Sequence, residues 1–64
     1  MERLSPGLSL RARRKALGLT QFELAYLVGV HEKSVSRWER DLSYPSSRGT
    51  LLRLRTIPEV NRTL

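Results

Sequence analysis

QFELAYLVGVHEKSVSRWER, residues 21–40, decides how this chain folds. Leu24, Val28, Val30, Val35 and Trp38 are its apolar positions, spaced so that two short helices can each bury a stripe against the other. Ala25 stands where the earlier helix presses on its neighbour, and a larger side chain there would force the two apart. Gly29, four positions later, takes the turn, where a positive φ costs glycine little. An apolar position, a small alanine, a turn glycine and two further apolar anchors, in that order, make a helix-turn-helix signature. A plain helical hairpin with no ligand is the competing reading.

Outward from this stretch, the punctuation marks further helices and no strands. There is no sustained period-2 alternation and no Asn-Gly or Asp-Gly hairpin. Thr20-Gln21-Phe22-Glu23 fits a capping box for the second helix, whose apolar stripe is Leu24, Leu27 and Val28. The third helix begins near His31 or Glu32 and stops near Arg40-Asp41. Ahead of the motif, Ser5 can cap a first helix with Pro6 at its first position. Gly7 and Ser9 weaken that turn and move the expected start toward Leu8. Leu10 and Leu17 share one face of this helix, Gly18 closes it in the left-handed region, and Leu19 makes the accompanying apolar contact. Beyond the motif, Ser43–Ser47 is a loop by composition, and Ser46 or Ser47 caps a fourth helix carrying Leu51, Leu52 and Leu54. Pro58 is expected to end or restart that helix. With no repeat and no linker, residues 1–64 read as one domain.

Composition narrows the function. The chain has 64 residues, with no cysteine and one histidine. A core this thin leaves little room for a catalytic cleft. Thiolate metal sites, disulfides and cysteine nucleophiles are excluded. His31 has no second nitrogen or thiolate within helical reach, and Glu23, Glu32 and Glu39 form no evident carboxylate pair, so neither an enzyme, a metal nor a cofactor is expected. No apolar run approaches the roughly 18 residues of a membrane span. Twelve Lys/Arg against six Asp/Glu give a net charge of +6, the balance of a protein that meets polyanions. A cytoplasmic, nucleoid-associated protein is the expectation.

The stretch LRARRKALGLTQFELAYLVGVHEKSVSRWERDLSYPS resembles the Cro/C1-type (Xre) helix-turn-helix family, whose pattern runs LR..R...GLTQ.ELA...GV....VSRWERG...PS. The likeness extends from about Leu10 to Leu54, roughly two-thirds of the chain. It implies an all-α, four- to five-helix, phage-repressor-like domain that binds a palindromic operator in double-stranded DNA as a dimer. Three departures stand out. Asp41 replaces a glycine, which strains the exit from the third helix; His31 replaces a Ser or Thr N-cap, which weakens the cap; and the approach to the fourth helix carries one extra residue.

Docked as the family docks, the third helix lies in the major groove. Val35 and Trp38 face inward, so His31, Glu32, Lys33, Ser36 and Arg37 form the outward face, with Glu32, Lys33, Ser36 and Arg37 as base-contacting residues. Arg37 and Lys33 can donate to guanine O6 and N7, and Arg37 in a planar fork; Glu32 can accept from cytosine N4. Gln21, at the N-terminus of the second helix, takes the family's backbone-clamping role. Ser34, Arg40, Ser43, Ser46 and Ser47 complete the phosphate contacts, and Arg11, Arg13 and Lys15 are further basic candidates. Arg14 and Glu39 correspond to a family ion pair between the first and third helices, a structural role.

A sequence-specific transcriptional regulator, acting as a repressor, is therefore the leading expectation. An antitoxin of the same fold, binding a toxin as well as its operator, is the alternative. A basic RNA-binding or architectural domain is a third, but its aromatics fall mostly in or beside the packed helices rather than on a stacking platform. Any homodimer must use the fourth helix and tail, with Leu54, Ile57, Val60 and Leu64 as candidates, and is expected to be weak and to form on DNA.

Overall fold

The computed structural model describes residues 4–62, and among them it contains four helices and no strand: α1 (Pro6–Ala16), α2 (Gln21–Val28), α3 (Glu32–Glu39) and α4 (Arg48–Arg62). α1 starts at Pro6, with the Ser5 hydroxyl accepting from the Leu8 amide at 3.1 Å. Gly7 does not delay it. That glycine is buried against the end of α3, where a Cβ would fall 2.4 Å from the Trp38 carbonyl oxygen and 2.8 Å from that of Glu39. The absence of a side chain is what lets the first turn of α1 lie on the last turn of α3.

The first three helices end by the same device. Gly18, at φ 73°, donates to Lys15 O at 3.0 Å while Leu19 donates to Arg14 O at 3.1 Å. Gly29, at φ 74°, precedes Val30, whose amide closes on Ala25 O at 3.0 Å. After α3 the left-handed residue is Asp41, at φ 60°, and Leu42 donates to Arg37 O at 2.9 Å. Left-handed closure satisfies carbonyls that a helix end would otherwise orphan. Each closure here also sets the direction of the next segment.

The core is Leu24, Ala25, Val28, Val35, Trp38 and Leu54, with Leu10, Leu17, Leu19 and Val30 half-buried against it. α3 packs on both α1 and α2, and α4 packs on α2. Leu27 departs from its expected place in the α2 stripe, being 47% exposed. Leu24, Ala25 and Val28 define the buried face, and at 100° per residue Leu27 falls about 100° from its centre. Leu51 and Leu52 are likewise exposed, so among the described side chains of α4 Leu54 is the one that closes the core.

Pro58 neither ends nor restarts the fourth helix, since α4 runs through it to Arg62. Proline has no N–H to donate four residues back. The carbonyl it leaves without a helical donor belongs to Leu54, and Arg13 Nη2 donates to that oxygen at 2.9 Å. Thus a guanidinium from α1 replaces the missing amide. Arg53 does similar work for α2: its Nη1 donates to Val28 O at 3.3 Å, placing positive charge at the negative end of that helix. The side chains of Ile57 and Val60 and the whole of Leu64 lie outside the described residues.

Candidate nucleic-acid interface

α3 has one edge held and one edge open. Val35, Trp38 and Glu39 are buried, whereas Glu32, Lys33 and Arg37 are exposed and Ser34 and Ser36 are half-buried. The apolar positions therefore turn toward α1 and α2 and leave the polar ones at the surface. His31 caps this helix through its ring: Nδ1 accepts from the Lys33 amide at 3.0 Å. A histidine here serves as acceptor where a hydroxyl was expected, so the cap is made.

Behind the open edge lies a buried polar network. Arg14 meets Glu39 in two bonds, Nε to Oε2 at 2.6 Å and Nη2 to Oε1 at 3.1 Å. Arg14 Nη1 also donates to Leu19 O at 2.8 Å, which ties the pair to the closure after α1. Burial pushes the Glu39 carboxyl upward, but the hydrogen bonds from Arg14 and Gln21, with the Arg14 charge, outweigh it and hold Glu39 below its ordinary value. Bidentate geometry of this kind combines charge with directional hydrogen bonding. Gln21 belongs to the same network, its Nε2 donating to Glu39 Oε1 at 3.1 Å. Its side chain is thus anchored at the N-terminus of α2 rather than swinging freely.

In front of that network, Arg11, Gln21, Ser36 and Arg40 line a polar hollow together with Arg14 and Glu39. Arg40 reaches back to Ser36 O, with Nε at 3.4 Å. The hollow joins the first turn of α2 to the last turn of α3, and its rim carries two exposed arginines. A helix N-terminus beside paired guanidinium groups is a site suited to an anion. Arg11 gains a place here that helical geometry alone does not assign. Arg13, by contrast, is engaged with Leu54 O, and of the expected phosphate-contacting serines Ser46 and Ser47 are exposed in the loop before α4 while Ser43 is half-buried. Ser47 is the residue ahead of α4, its Oγ 3.5 Å from the Thr50 amide.

Asp41 is the functional support that sequence reasoning missed. Its carboxylate accepts from the Ser5 hydroxyl at 2.7 Å, the Gly7 amide at 2.9 Å and the Tyr44 hydroxyl at 2.9 Å. The bond from Ser5, then those from Gly7 and Tyr44, hold the Asp41 carboxyl below its ordinary value, and the same bond raises the Tyr44 hydroxyl. The only sequence signal was an aspartate in a glycine position. Two of its partners, Ser5 and Gly7, lie more than thirty residues upstream, beyond any local pattern.

Among the described residues no group of three His, Cys, Asp or Glu side chains could hold a metal ion, and no helix is long and apolar enough to cross a membrane. Four short helices, a left-handed turn between the second and third, and an open polar edge on the third define a helix-turn-helix domain. The family model described as Helix-turn-helix (HTH_3) matches residues 10–55, and the chain belongs to this family, the Cro/C1-type or Xre helix-turn-helix proteins. It is thereby a DNA-binding regulator. No curated protein and no solved structure matches the chain.

Proposed function

We propose that the protein is a sequence-specific repressor that reads the major groove of double-stranded DNA with α3. The observation that carries this reading is the division of α3 into a buried edge of Val35, Trp38 and Glu39 and an exposed edge of Glu32, Lys33 and Arg37. A helix anchored along one side presents the other at a constant tilt, which base reading needs. Arg37 and Lys33 donate to guanine, Glu32 accepts from cytosine, and Ser36 lies between them toward the groove wall. Gln21 and Arg40 contact phosphates around the polar hollow, and Ser34, Ser43, Ser46 and Ser47 hold further stretches of backbone. The whole chain acts as one domain. Two copies meet on a palindromic operator with half-sites about 34 Å apart, joined weakly through α4 and the tail.

Selection of bound sites from random duplexes, followed by titration of the chosen site, tests this reading. Arg37→Ala is expected to cost roughly 1–3 kcal/mol on that site and to relax choice at one base position. Equal weakening on every sequence would move Arg37 to the phosphates. Affinity should fall as salt rises, with a log–log slope of about −0.9 per neutralised phosphate, and a flat response would remove DNA from the account. Exposed Leu51 and Leu52 on α4 supply apolar surface for a second copy, and the same surface would suit a toxin in the antitoxin reading. Sedimentation with and without operator separates the two: self-association on DNA supports the repressor, and a stoichiometric foreign chain purified from the native source supports the antitoxin.

A further inference from the structure

His31 has two ring nitrogens, and among the described residues only Nδ1 has a partner. Nδ1 accepts the Lys33 amide at 3.0 Å, so it carries no proton. In a neutral imidazole one nitrogen donates and the other accepts, and the tautomer follows from the bond already made. The proton therefore sits on Nε2. The two nitrogens lie on opposite flanks of the ring, and with Nδ1 turned back to the helix, Nε2 is directed away from it. The residue is exposed, at the very start of the reading helix, beside exposed Glu32 and Lys33. A serine or threonine cap keeps its hydroxyl close to the backbone, whereas the imidazole carries a second polar atom a ring's width further out.

We infer that His31 is a dual-purpose residue: Nδ1 caps α3 while Nε2–H donates to an acceptor on the duplex, either a guanine N7 or a phosphate oxygen. This rests on the proposed reading of α3 as the groove-facing helix. The cap locks the tautomer, and the locked tautomer makes the outward group a donor and never an acceptor. His31 thereby selects acceptor-bearing positions on DNA and extends the contacts of Glu32, Lys33 and Arg37 by one residue toward the N-terminus.

The chain has a single histidine, so a long-range nitrogen–proton spectrum reports one imidazole. An Nε2–H form is expected, and an Nδ1–H form would overturn the inference. His31→Ser keeps a capping oxygen but removes the outward donor. It is expected to melt with the parent protein and to bind the selected duplex about fivefold more weakly, the worth of one neutral hydrogen bond. His31→Ala, which loses both functions, should melt earlier as well. Equal affinity of the parent and His31→Ser would reduce His31 to a cap and sink the inference while leaving the DNA reading intact. A parent that binds no duplex takes both down. Duplexes with 7-deazaguanine or with single methylphosphonates then locate the acceptor. One of the two should erase the difference between the parent and His31→Ser, and persistence of the difference in both would also overturn the inference.

Discussion

Glu39 and Asp41, two residues apart at the end of α3, hold the domain by different means. Glu39 is 5% exposed and Arg14 9%, so their ion pair is desolvated, and its two bonds plus that from Gln21 leave few lone pairs unmet. Removing one partner strands the other charge, at a cost of about 3–5 kcal/mol. A domain of this size has a total stability of roughly 3–10 kcal/mol, so Arg14→Ala should leave a protein unfolded or barely folded at room temperature, as read by helical circular dichroism. A loss under 1 kcal/mol in urea titration would mean that water reaches the pair. Asp41 is exposed to competing effects. Asp41→Gly relaxes a φ of 60° but deletes three accepted hydrogen bonds. Since the bonds from Ser5 and Gly7 tie the start of α1 to the end of α3, the variant is expected to melt below the parent, and a higher melting temperature would show that backbone strain outweighs the bonds.

At the scale of the element, α4 is the instructive helix. A proline in its interior should break it, because the carbonyl four residues back loses its donor. Leu54 O instead takes Arg13 Nη2 at 2.9 Å, so continuity of α4 depends on a side chain from α1. The consequence is a coupling that a double-mutant cycle can measure. Arg13→Ala should cost about 1 kcal/mol with Pro58 present, since the carbonyl is then left without either donor. In the background of Pro58→Ala the restored amide supplies the bond, and the same substitution should cost close to nothing beyond lost packing. Equal costs in both backgrounds would disconnect Arg13 from the proline. The end of α1 closes through its own backbone, because Gly18 reaches the left-handed region without a Cβ penalty.

For the whole molecule, the two depressed carboxyls define an acid limit. Both Glu39 and Asp41 sit below their ordinary values of 4.5 and 3.8, so the folded state holds its protons less tightly than the unfolded chain. Each contributes stability that is present above the unfolded value and lost as pH falls through the folded one. Unfolding free energy should therefore be level from neutrality down to about pH 4.5 and decline below it. Urea titrations across that range check this. Asp41→Asn should start lower and decline less steeply, and an unchanged slope would show that Asp41 carries no part of the acid limit.

Local chemistry in the chain determined most of the architecture: the caps at Ser5 and Thr20, the turn at Gly29, the closure at Gly18 and the inward pair Val35 and Trp38 all follow from spacing and residue type. Such signals are legible because their partners lie within a few positions. The open edge of α3 was legible for the same reason, since burying Val35 and Trp38 leaves Glu32, Lys33 and Arg37 outside. What only the tertiary structure decided involves partners far apart in the chain. Arg13 was one of several interchangeable basic residues until Leu54 O took it, and Gly7 read as a weak helix start until the carbonyls of Trp38 and Glu39 approached it. Asp41 read as strain until Ser5 and Gly7, at the start of α1, bonded to it. Periodicity says which face of a helix is inward; which atoms meet there depends on how the helices lie on one another, and that is set by the packing of the entire core.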